Sequence, residues 1–202
     1  MTTPSSTAVL VIDMQNDTVH PDGAYAGTGA AAHATSQHVV ENTRAVLDAA
    51  RTAGTPVFHS RIVVYPVPGL SGQNAPVFQM LAPDTFKIGS WGAAIVDELT
   101  PADGEVVLDR TRMSVFNGTG IDTMLRNLGI RSLIVVGAWT NMAVEHTVRD
   151  AADHGYEVSI VADATSSLSE EWQAAALGFA LTNIATTTTT ADVTAALGAT
   201  SA

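Results

Sequence analysis

Short runs rich in valine and isoleucine alternate with segments of helical periodicity along this chain, and this alternation constrains the fold more than any other feature. Residues 7–13 are almost continuously apolar up to Asp13, which is typical of a strand buried on both faces of a sheet. Residues 33–53 instead repeat apolar side chains at the 3.6-residue period of a helix, which Gly54 ends. Such alternation predicts an α/β fold, with a mostly parallel sheet and helices on both of its faces.

The same patterns predict six strands and five helices. The strands are predicted at residues 7–13, 56–62, 105–110, 132–138, 156–162 and 184–188. The helices are predicted at residues 33–53, 119–128, 141–154, 169–181 and 191–197. The 202 residues contain no evident linker or internal repeat, so we expect a single domain over residues 1–202.

Charge and hydropathy limit the partners of the chain. Its formal net charge of −11 gives no basic surface for nucleic acid, and an anionic membrane surface would repel it. The longest apolar runs are too short to span a bilayer, and residues 1–7 lack the basic region of a signal peptide. We therefore expect a cytoplasmic protein with neither a nucleic-acid nor a membrane partner.

The residue types that hold metals and cofactors are absent or badly spaced. The chain has no cysteine, which excludes disulfides, thiolate metal sites and a cysteine nucleophile. The six histidines lack the spacing of metal ligands. No glycine-rich nucleotide-binding motif follows a predicted strand. We expect neither a metal ion nor another cofactor.

The long segment at residues 65–91 has no clear periodicity. A loop of this length inside a compact domain is usually functional. We expect it to determine the substrate, with Phe78, Phe86 and Trp91 as walls of the binding pocket.

Two charged residues at predicted strand ends are candidates for chemistry, because open parallel sheets bind ligands beyond the carboxyl ends of their strands. Asp13 follows an apolar run, where an ionised carboxylate is costly unless it is paired. It is interpreted either as a general acid or base with a raised pKa, or as a capping or turn aspartate. Arg110 is expected to hold a substrate anion, to pair with Asp13, or to form a salt bridge with Asp109 or Glu105.

Residues 137–143 connect the fourth predicted strand to a helix. The first N–H groups of a helix favour negative charge, so this turn is a candidate site for an oxyanion or a carboxylate. Trp139 within it is expected either to form a pocket wall or to pack in the core.

Four segments together resemble one known family. They are residues 9–17 (VLVIDMQND), 112–116 (RMSVF), 137–147 (GAWTNMAVEHT) and 150–156 (DAADHGY). They resemble the isochorismatase-like (cysteine hydrolase) superfamily, which includes isochorismatases, nicotinamidases, N-carbamoylsarcosine amidohydrolases and ureidoacrylate or biuret amidohydrolases. The match runs in order from about residue 7 to residue 190. It implies a three-layer, Rossmann-like domain with a six-stranded parallel sheet, assembled into dimers or tetramers.

The resemblance also implies where the catalytic residues lie. The family's Asp, Lys and Cys triad falls on Asp13, Arg110 and Ala143, so two of the three positions depart from the family pattern. Without a thiol at residue 143 no thioester forms there. The family's metal motif is not seen near His59. The resemblance further implies a cis peptide bond between Ala138 and Trp139.

Isochorismatases in this superfamily work without the cysteine, by protonating a vinyl ether with the aspartate. The first hypothesis is therefore an Asp-dependent, Cys-independent hydrolase that cleaves a vinyl-ether or amide-type bond in a small, carboxylate-bearing substrate. Its catalytic positions are Asp13, Arg110 and Ala143, and its predicted substrate-binding residues are Trp139, Thr140, Phe116 and Trp91.

Two other interpretations remain open at this point. A non-catalytic member would bind a ligand or partner through the inherited pocket, and the departures at Arg110 and Ala143 motivate this alternative. In the second, Ala143 is an engineered replacement of a cysteine. This would explain the departure from the family pattern at residue 143 but not the departure at Arg110.

Overall fold

The computed structural model describes residues 6–82 and 84–199, and these residues form a six-stranded sheet in which every neighbouring pair is parallel. The strands are β1 (Thr7–Ile12), β2 (Val57–Ile62), β3 (Val106–Arg110), β4 (Ser132–Ala138), β5 (Glu157–Ser166) and β6 (Thr186–Thr188). Their order is β3-β2-β1-β4-β5-β6. The predicted Rossmann-like α/β architecture is confirmed. Residues 1–5, on which the expectation about a signal peptide depends, lie outside the described residues.

Helices cover both faces of this sheet. The α-helices are α1 (Asn16–Val19), α2 (Ala30–Ser36), α3 (Val39–Ala53), α4 (Pro76–Gln79), α5 (Ile121–Asn127), α6 (Glu145–Asp153), α7 (Glu170–Ala175) and α8 (Thr190–Ala199). Short 3₁₀ turns occupy Ala26–Thr28 and Asp97–Leu99, and π-helical turns occupy Thr140–Val144 and Ala176–Ala180. No described helix is long and apolar enough to cross a membrane.

The alternation of side chains along β1 explains the three layers. Val9 and Val11 pack into a cluster with residues of α2, α3 and α8, whereas Leu10 and Ile12 pack into a second cluster with residues of α5 and α6. All four side chains are essentially inaccessible to solvent. The continuous apolar run is therefore the signature of a strand that is buried on both faces, as predicted.

Two predicted elements differ most clearly from the structure. The single helix predicted at residues 33–53 is divided into α2 and α3, because His38 adopts a left-handed backbone with φ of 51° that no continuous helix accepts. The strand predicted at residues 156–162 continues to Ser166, since β5 pairs again with β4 after a register shift next to Gly137. The polar residues after Ala162 concealed this extension from the sequence pattern.

The chain reverses its winding direction between β1 and β4, which are neighbours at the centre of the sheet. Gly137 lets the two strands approach closely here: its φ is 120°, and an added Cβ atom would lie 2.0 Å from the carbonyl oxygen of Ile12. Ligands of doubly wound sheets bind at such a switch point. The carboxyl ends of β1 and β4 carry Asp13 and Trp139.

Candidate active site

The centre of the candidate site is a buried ion pair between Asp13 and Arg110. Asp13 follows β1 with φ of 50°, and its N–H donates to the carbonyl oxygen of Ser60 at 2.9 Å. Arg110 ends β3 and reaches past β2, so that Nη1 donates to Oδ1 at 2.6 Å and Nη2 donates to Oδ2 at 2.7 Å. The two side chains are 6% and 0% exposed. The structure thus brings together two of the predicted catalytic residues.

The remaining hydrogen bonds of Arg110 show what this residue does. Its Nε and Nη2 donate to the carbonyl oxygen of Met113 at 3.2 and 2.8 Å. Because the guanidinium is inaccessible and its donors point to Asp13 and Met113, it is not presented to a substrate anion. Of the expectations for Arg110, the structure shows the pairing with Asp13. Asp109 and Glu105 pair instead with Arg61 and Arg51.

Two opposing effects set the protonation of Asp13. Burial raises the pKa of this carboxyl, whereas the charge of Arg110 and its hydrogen bonds oppose the rise. Each carboxylate oxygen accepts one hydrogen bond from Arg110 and keeps lone-pair capacity for a further donor. Asp13 is therefore held in one orientation and can still accept a proton.

The residues that follow Asp13 organise the loops around it. The Nε2 of Gln15 donates to the carbonyl oxygens of Ile62 and Ala93, both at 2.9 Å, and its Oε1 accepts the N–H of Ile62 at 2.9 Å. These bonds attach the end of β2 to the loop at residue 93. The sequence pattern gave no sign of this role of Gln15, because a buried amide that bonds to distant backbone groups has no local pattern.

Asp17 holds the two loops that carry aromatic side chains. Its Oδ1 accepts the N–H of Ala24 at 3.1 Å, and its Oδ2 accepts the N–H of Phe86 at 2.7 Å. Tyr25 stacks on Phe86 with ring centroids 5.4 Å apart, and it meets Trp139 edge-on at the same distance. These three rings enclose one side of the space in front of Asp13.

A small cavity opens in front of the carboxyl group. Most of its wall is aromatic, aliphatic or thioether. It is lined by Asp13, Thr18, Tyr25, Ile62, Val77, Phe78, Met80, Leu81, Phe86, Met113, Ala138, Trp139, Met142 and Ala143. The predicted walls Phe78 and Phe86 are in place, and the long loop does contribute to the cavity. Tyr25 had no signal in the sequence, because only the tertiary fold brings its loop to this position.

The turn after β4 lies at the cavity as expected. Trp139 and Ala143 both line it, and the peptide bond between Ala138 and Trp139 is cis, as the resemblance implies. Ala143 presents a methyl group, which offers no nucleophile. Thr140 is fully buried but is not among the lining residues.

Two predicted substrate-binding residues lie elsewhere. Phe116 stacks on His154 with ring centroids 4.9 Å apart and also contacts Tyr156, so it packs on the face of the sheet covered by α5 and α6. The ring of Trp91 lies edge-on against His20 and is 53% exposed. Neither belongs to the described cavity lining. Both predictions relied on position in the sequence, which does not fix the direction of a loop side chain.

Arg112, just after β3, contacts the segment around α4, which forms part of the cavity wall. The Nη1 of Arg112 donates to the carbonyl oxygen of Ser71 at 2.8 Å, and its Cζ lies 4.7 Å from the centre of the Phe78 ring. A guanidinium at this distance from a ring face is attracted by it. The loop is thereby tied to the same strand that supplies Arg110.

Comparisons with known proteins identify relatives of this chain. The family model described as "Isochorismatase domain" matches residues 7–192. The ureidoacrylate amidohydrolase of Rhizobium rhizogenes is 35% identical over 182 residues, which cover 84% of this chain and 74% of that protein. The corresponding protein of Caulobacter segnis is 35% identical over 188 residues, covering 86% and 78%.

Solved structures share the architecture. A cysteine hydrolase from Pseudomonas syringae pv. phaseolicola superposes with a TM-score of 0.86 at 26% identity, covering 98% of this chain and 95% of that one. The N-carbamoylsarcosine amidase of Thermoplasma acidophilum superposes with a TM-score of 0.72 at 26% identity, covering 91% and 96%.

Proposed function

Because the chain belongs to the isochorismatase family, a family of hydrolases, we propose that it hydrolyses a small molecule by Asp13-dependent catalysis without a thiol. One observation carries this proposal: a buried carboxylate, oriented by Arg110, lines an apolar cavity at the switch point of the sheet. The names of the relatives favour an amide or ureido C–N bond as the bond that is cleaved. A vinyl ether is the other candidate from the family resemblance.

In the proposed reaction, water is the nucleophile, since Ala143 cannot form a covalent intermediate. Asp13 accepts a proton from water while the water oxygen forms a bond to the carbonyl carbon. The protonated Asp13 then returns this proton to the leaving nitrogen as the C–N bond breaks. Backbone N–H groups of the turn at Trp139 and Ala143 are proposed to stabilise the oxyanion.

Arg110 acts as a positioning residue in this scheme. It holds both oxygens of Asp13, and its charge and hydrogen bonds oppose the rise in the pKa of Asp13 that burial causes. The expectation of a carboxylate-bearing substrate required Arg110 to be free to bind it. Because the donors of Arg110 bond to Asp13 and Met113, the geometry of Arg110 does not support this expectation. That the protein works without a metal, as a cytoplasmic dimer or tetramer, stays a proposal that rests on the family resemblance and on the sequence.

The test compares Asp13→Asn with Asp109→Asn, a matched change in the Arg61–Asp109 pair, whose aspartate precedes Arg110 on β3. Initial rates are measured with amides, ureido acids and vinyl ethers at high enzyme concentration, and circular dichroism checks folding. Asp13→Asn is expected to lower kcat/KM by about 10²–10⁴-fold, the usual contribution of a general acid or base. Undiminished activity in a folded variant would refute the role of Asp13. Absence of turnover by the unmodified protein on every substrate would favour the non-catalytic alternative.

A further inference from the structure

We infer that Asn141, Ser167 and His33 form a line of hydrogen bonds that positions the turn at residues 139–143 for catalysis. The inference deepens the proposed function and rests on it, because the backbone N–H groups of this turn are the groups proposed to stabilise the oxyanion. None of the three side chains belongs to the described cavity lining. Each is therefore a positioning residue, which acts through the turn and does not touch the substrate.

Of the polar side chains in the turn, Asn141 is the one that attaches it to another element. Neither Nε1 of Trp139 nor Oγ1 of Thr140 has a hydrogen-bond partner among the described residues. Oδ1 of Asn141, in contrast, accepts a hydrogen bond from Oγ of Ser167. Ser167 is inaccessible to solvent, and Asn141 is half-buried. Water competes poorly for such a bond, which therefore fixes the turn relative to the segment that follows β5.

The extension of β5 brings Ser167 to the turn. The last two residues of β5 pair with Gly137 and Ala138 of β4, which directly precede the turn. The backbone N–H of Ser167 donates to Nδ1 of His33 at 3.3 Å. The main chain of Ser167 is thus held by the sheet on one side and by His33 on the other, and its hydroxyl group bonds to Asn141.

His33 connects Ser167 to two helices. Its side chain, on α2, is 6% exposed, and Nε2 lies 3.5 Å from Oε2 of Glu170 at the start of α7. Because Nδ1 accepts the N–H of Ser167, the neutral ring carries its proton on Nε2, which faces this carboxylate. The start of α2 also lies close to this segment, since a Cβ atom added at Gly29 would lie 2.8 Å from the carbonyl oxygen of Leu168. The imidazole is therefore held in one orientation between α2 and α7.

A positioning role and a purely structural role predict different kinetics. Donors that stabilise an oxyanion act on the transition state and not on the bound substrate, so their displacement lowers kcat and leaves KM nearly unchanged. A misplacement of about 1 Å is enough to cost on the order of 10²-fold in rate. A bond that served stability alone would, once removed, lower the free energy of unfolding but not the kcat of the folded protein.

The first test compares Ser167→Ala with Ser166→Ala, using the amide, ureido acid or vinyl ether that the unmodified protein hydrolyses fastest. Ser166 is a matched control, because it is equally inaccessible but its Oγ has no hydrogen-bond partner among the described residues. Ser167→Ala is expected to lower kcat by about 10–100-fold and to change KM by less than about twofold. Ser166→Ala is expected to keep both values. If folded Ser167→Ala retains the kcat of the unmodified protein, the inference is wrong.

Substitutions of Asn141 provide a second test, which does not depend on the folding of Ser167→Ala. Asn141→Leu removes the acceptor with little change in size and is expected to lower kcat as Ser167→Ala does. Asn141→Asp keeps an acceptor for the Ser167 hydroxyl and is expected to retain most of kcat. The double variant Ser167→Ala with Asn141→Leu should lose no more than the weaker of the two single variants, because both remove the same bond. Additive losses would contradict the assignment.

Hydrogen–deuterium exchange of peptides that contain residues 139–143 distinguishes this inference from the proposed function, because it requires no substrate. Exchange is expected to be about five to ten times faster in Ser167→Ala than in Ser166→Ala, as the loss of one hydrogen bond requires. If exchange accelerates but the unmodified protein hydrolyses nothing, the hydrolytic proposal fails and the attachment of the turn by Ser167 stands. If Asp13→Asn abolishes turnover while Ser167→Ala changes neither exchange nor kcat, the attachment fails and Asp13-dependent hydrolysis stands.

Discussion

Asp109 and Arg110 are consecutive residues of β3, and each takes part in a bidentate arginine–carboxylate pair on opposite faces of the sheet. In one pair, Arg61 donates to Asp109 through Nε at 2.8 Å and Nη2 at 2.9 Å. In the other, Arg110 donates to Asp13 through Nη1 at 2.6 Å and Nη2 at 2.7 Å. The first pair is about one quarter exposed, and the second is almost inaccessible.

The difference shows that pairing geometry alone does not make a site. The Arg61–Asp109 pair is partly exposed to water, which screens its two charges and weakens their interaction. The Arg110–Asp13 pair lies beside an apolar cavity, where each charge depends on the other and small changes in protonation have large effects. The comparison leads to three predictions, in addition to the two tests already given.

The largest effect is expected for Arg110→Met, which leaves the charge of Asp13 buried without a partner. We expect the free energy of unfolding in urea to fall by about 3–5 kcal/mol, with loss of activity. The double variant Asp13→Leu with Arg110→Met is expected to recover most of the stability and none of the activity, because an apolar pair replaces a buried ion pair at little cost. If Arg110→Met lowers the free energy of unfolding by less than about 1 kcal/mol, the interpretation of Asp13 and Arg110 as a buried ion pair is wrong.

An intermediate effect is expected for a third arginine–carboxylate pair, just before β3. Glu105 accepts hydrogen bonds from Arg51 at 2.8 Å and from the N–H of Ala102 at 2.9 Å, and it lies 2.9 Å from Nε2 of the buried His59. Although burial opposes the change, these bonds lower the pKa of Glu105 to about 2. Burial lowers the pKa of His59 below 6.5.

Both shifts have the same sign with respect to stability. Glu105 contributes stability that is present above its ordinary pKa of 4.5 and is lost as the pH falls toward 2. Protonation of His59 is more favourable in the unfolded chain, so stability also decreases as the pH falls below 6.5. We expect Glu105→Gln to make the melting temperature less dependent on pH between 6 and 2.5, by an amount equivalent to about 1–2 kcal/mol after solvent screening. If the melting temperatures of the variant and the unmodified protein depend on pH in the same way, the cluster does not titrate as described.

The smallest effect is expected for Asp109→Asn. A partly exposed, solvent-screened pair of this kind is expected to contribute about 0–1 kcal/mol, so the urea midpoint should change little and kcat/KM should stay the same. A loss of activity comparable to that of Asp13→Asn would remove the distinction between the two pairs.

Much of the fold could be predicted from the sequence, because the buried strands are short apolar runs that can be recognised from their own residues. The apolar run before Asp13 indicated a buried strand and placed its carboxyl group at the ligand-binding end of the sheet. The division of the helix at His38 was not predictable, since no glycine or proline marks the left-handed residue there.

The site was predictable only where a strand fixes a side chain. Pairing with Asp13 was one of three alternatives for Arg110, and it was available because both residues end strands of the same sheet. Tyr25 and Phe116 lie in loops, whose side-chain directions depend on contacts with residues far away in the sequence. Tyr25 therefore had no sequence signal, and Phe116 was predicted in a pocket that it does not line.

Asp17 carries a consequence for changing the ligands of this protein. It holds the loops of Tyr25 and Phe86 by accepting the backbone N–H groups of Ala24 and Phe86, and within the described residues it makes no hydrogen bond to the aromatic side chains. Libraries that vary positions 25 and 86 while preserving residue 17 would thus alter the shape of the pocket on an unchanged main chain. New specificities are more accessible to laboratory evolution at these two positions than at Gly137, where any side chain would collide with β1.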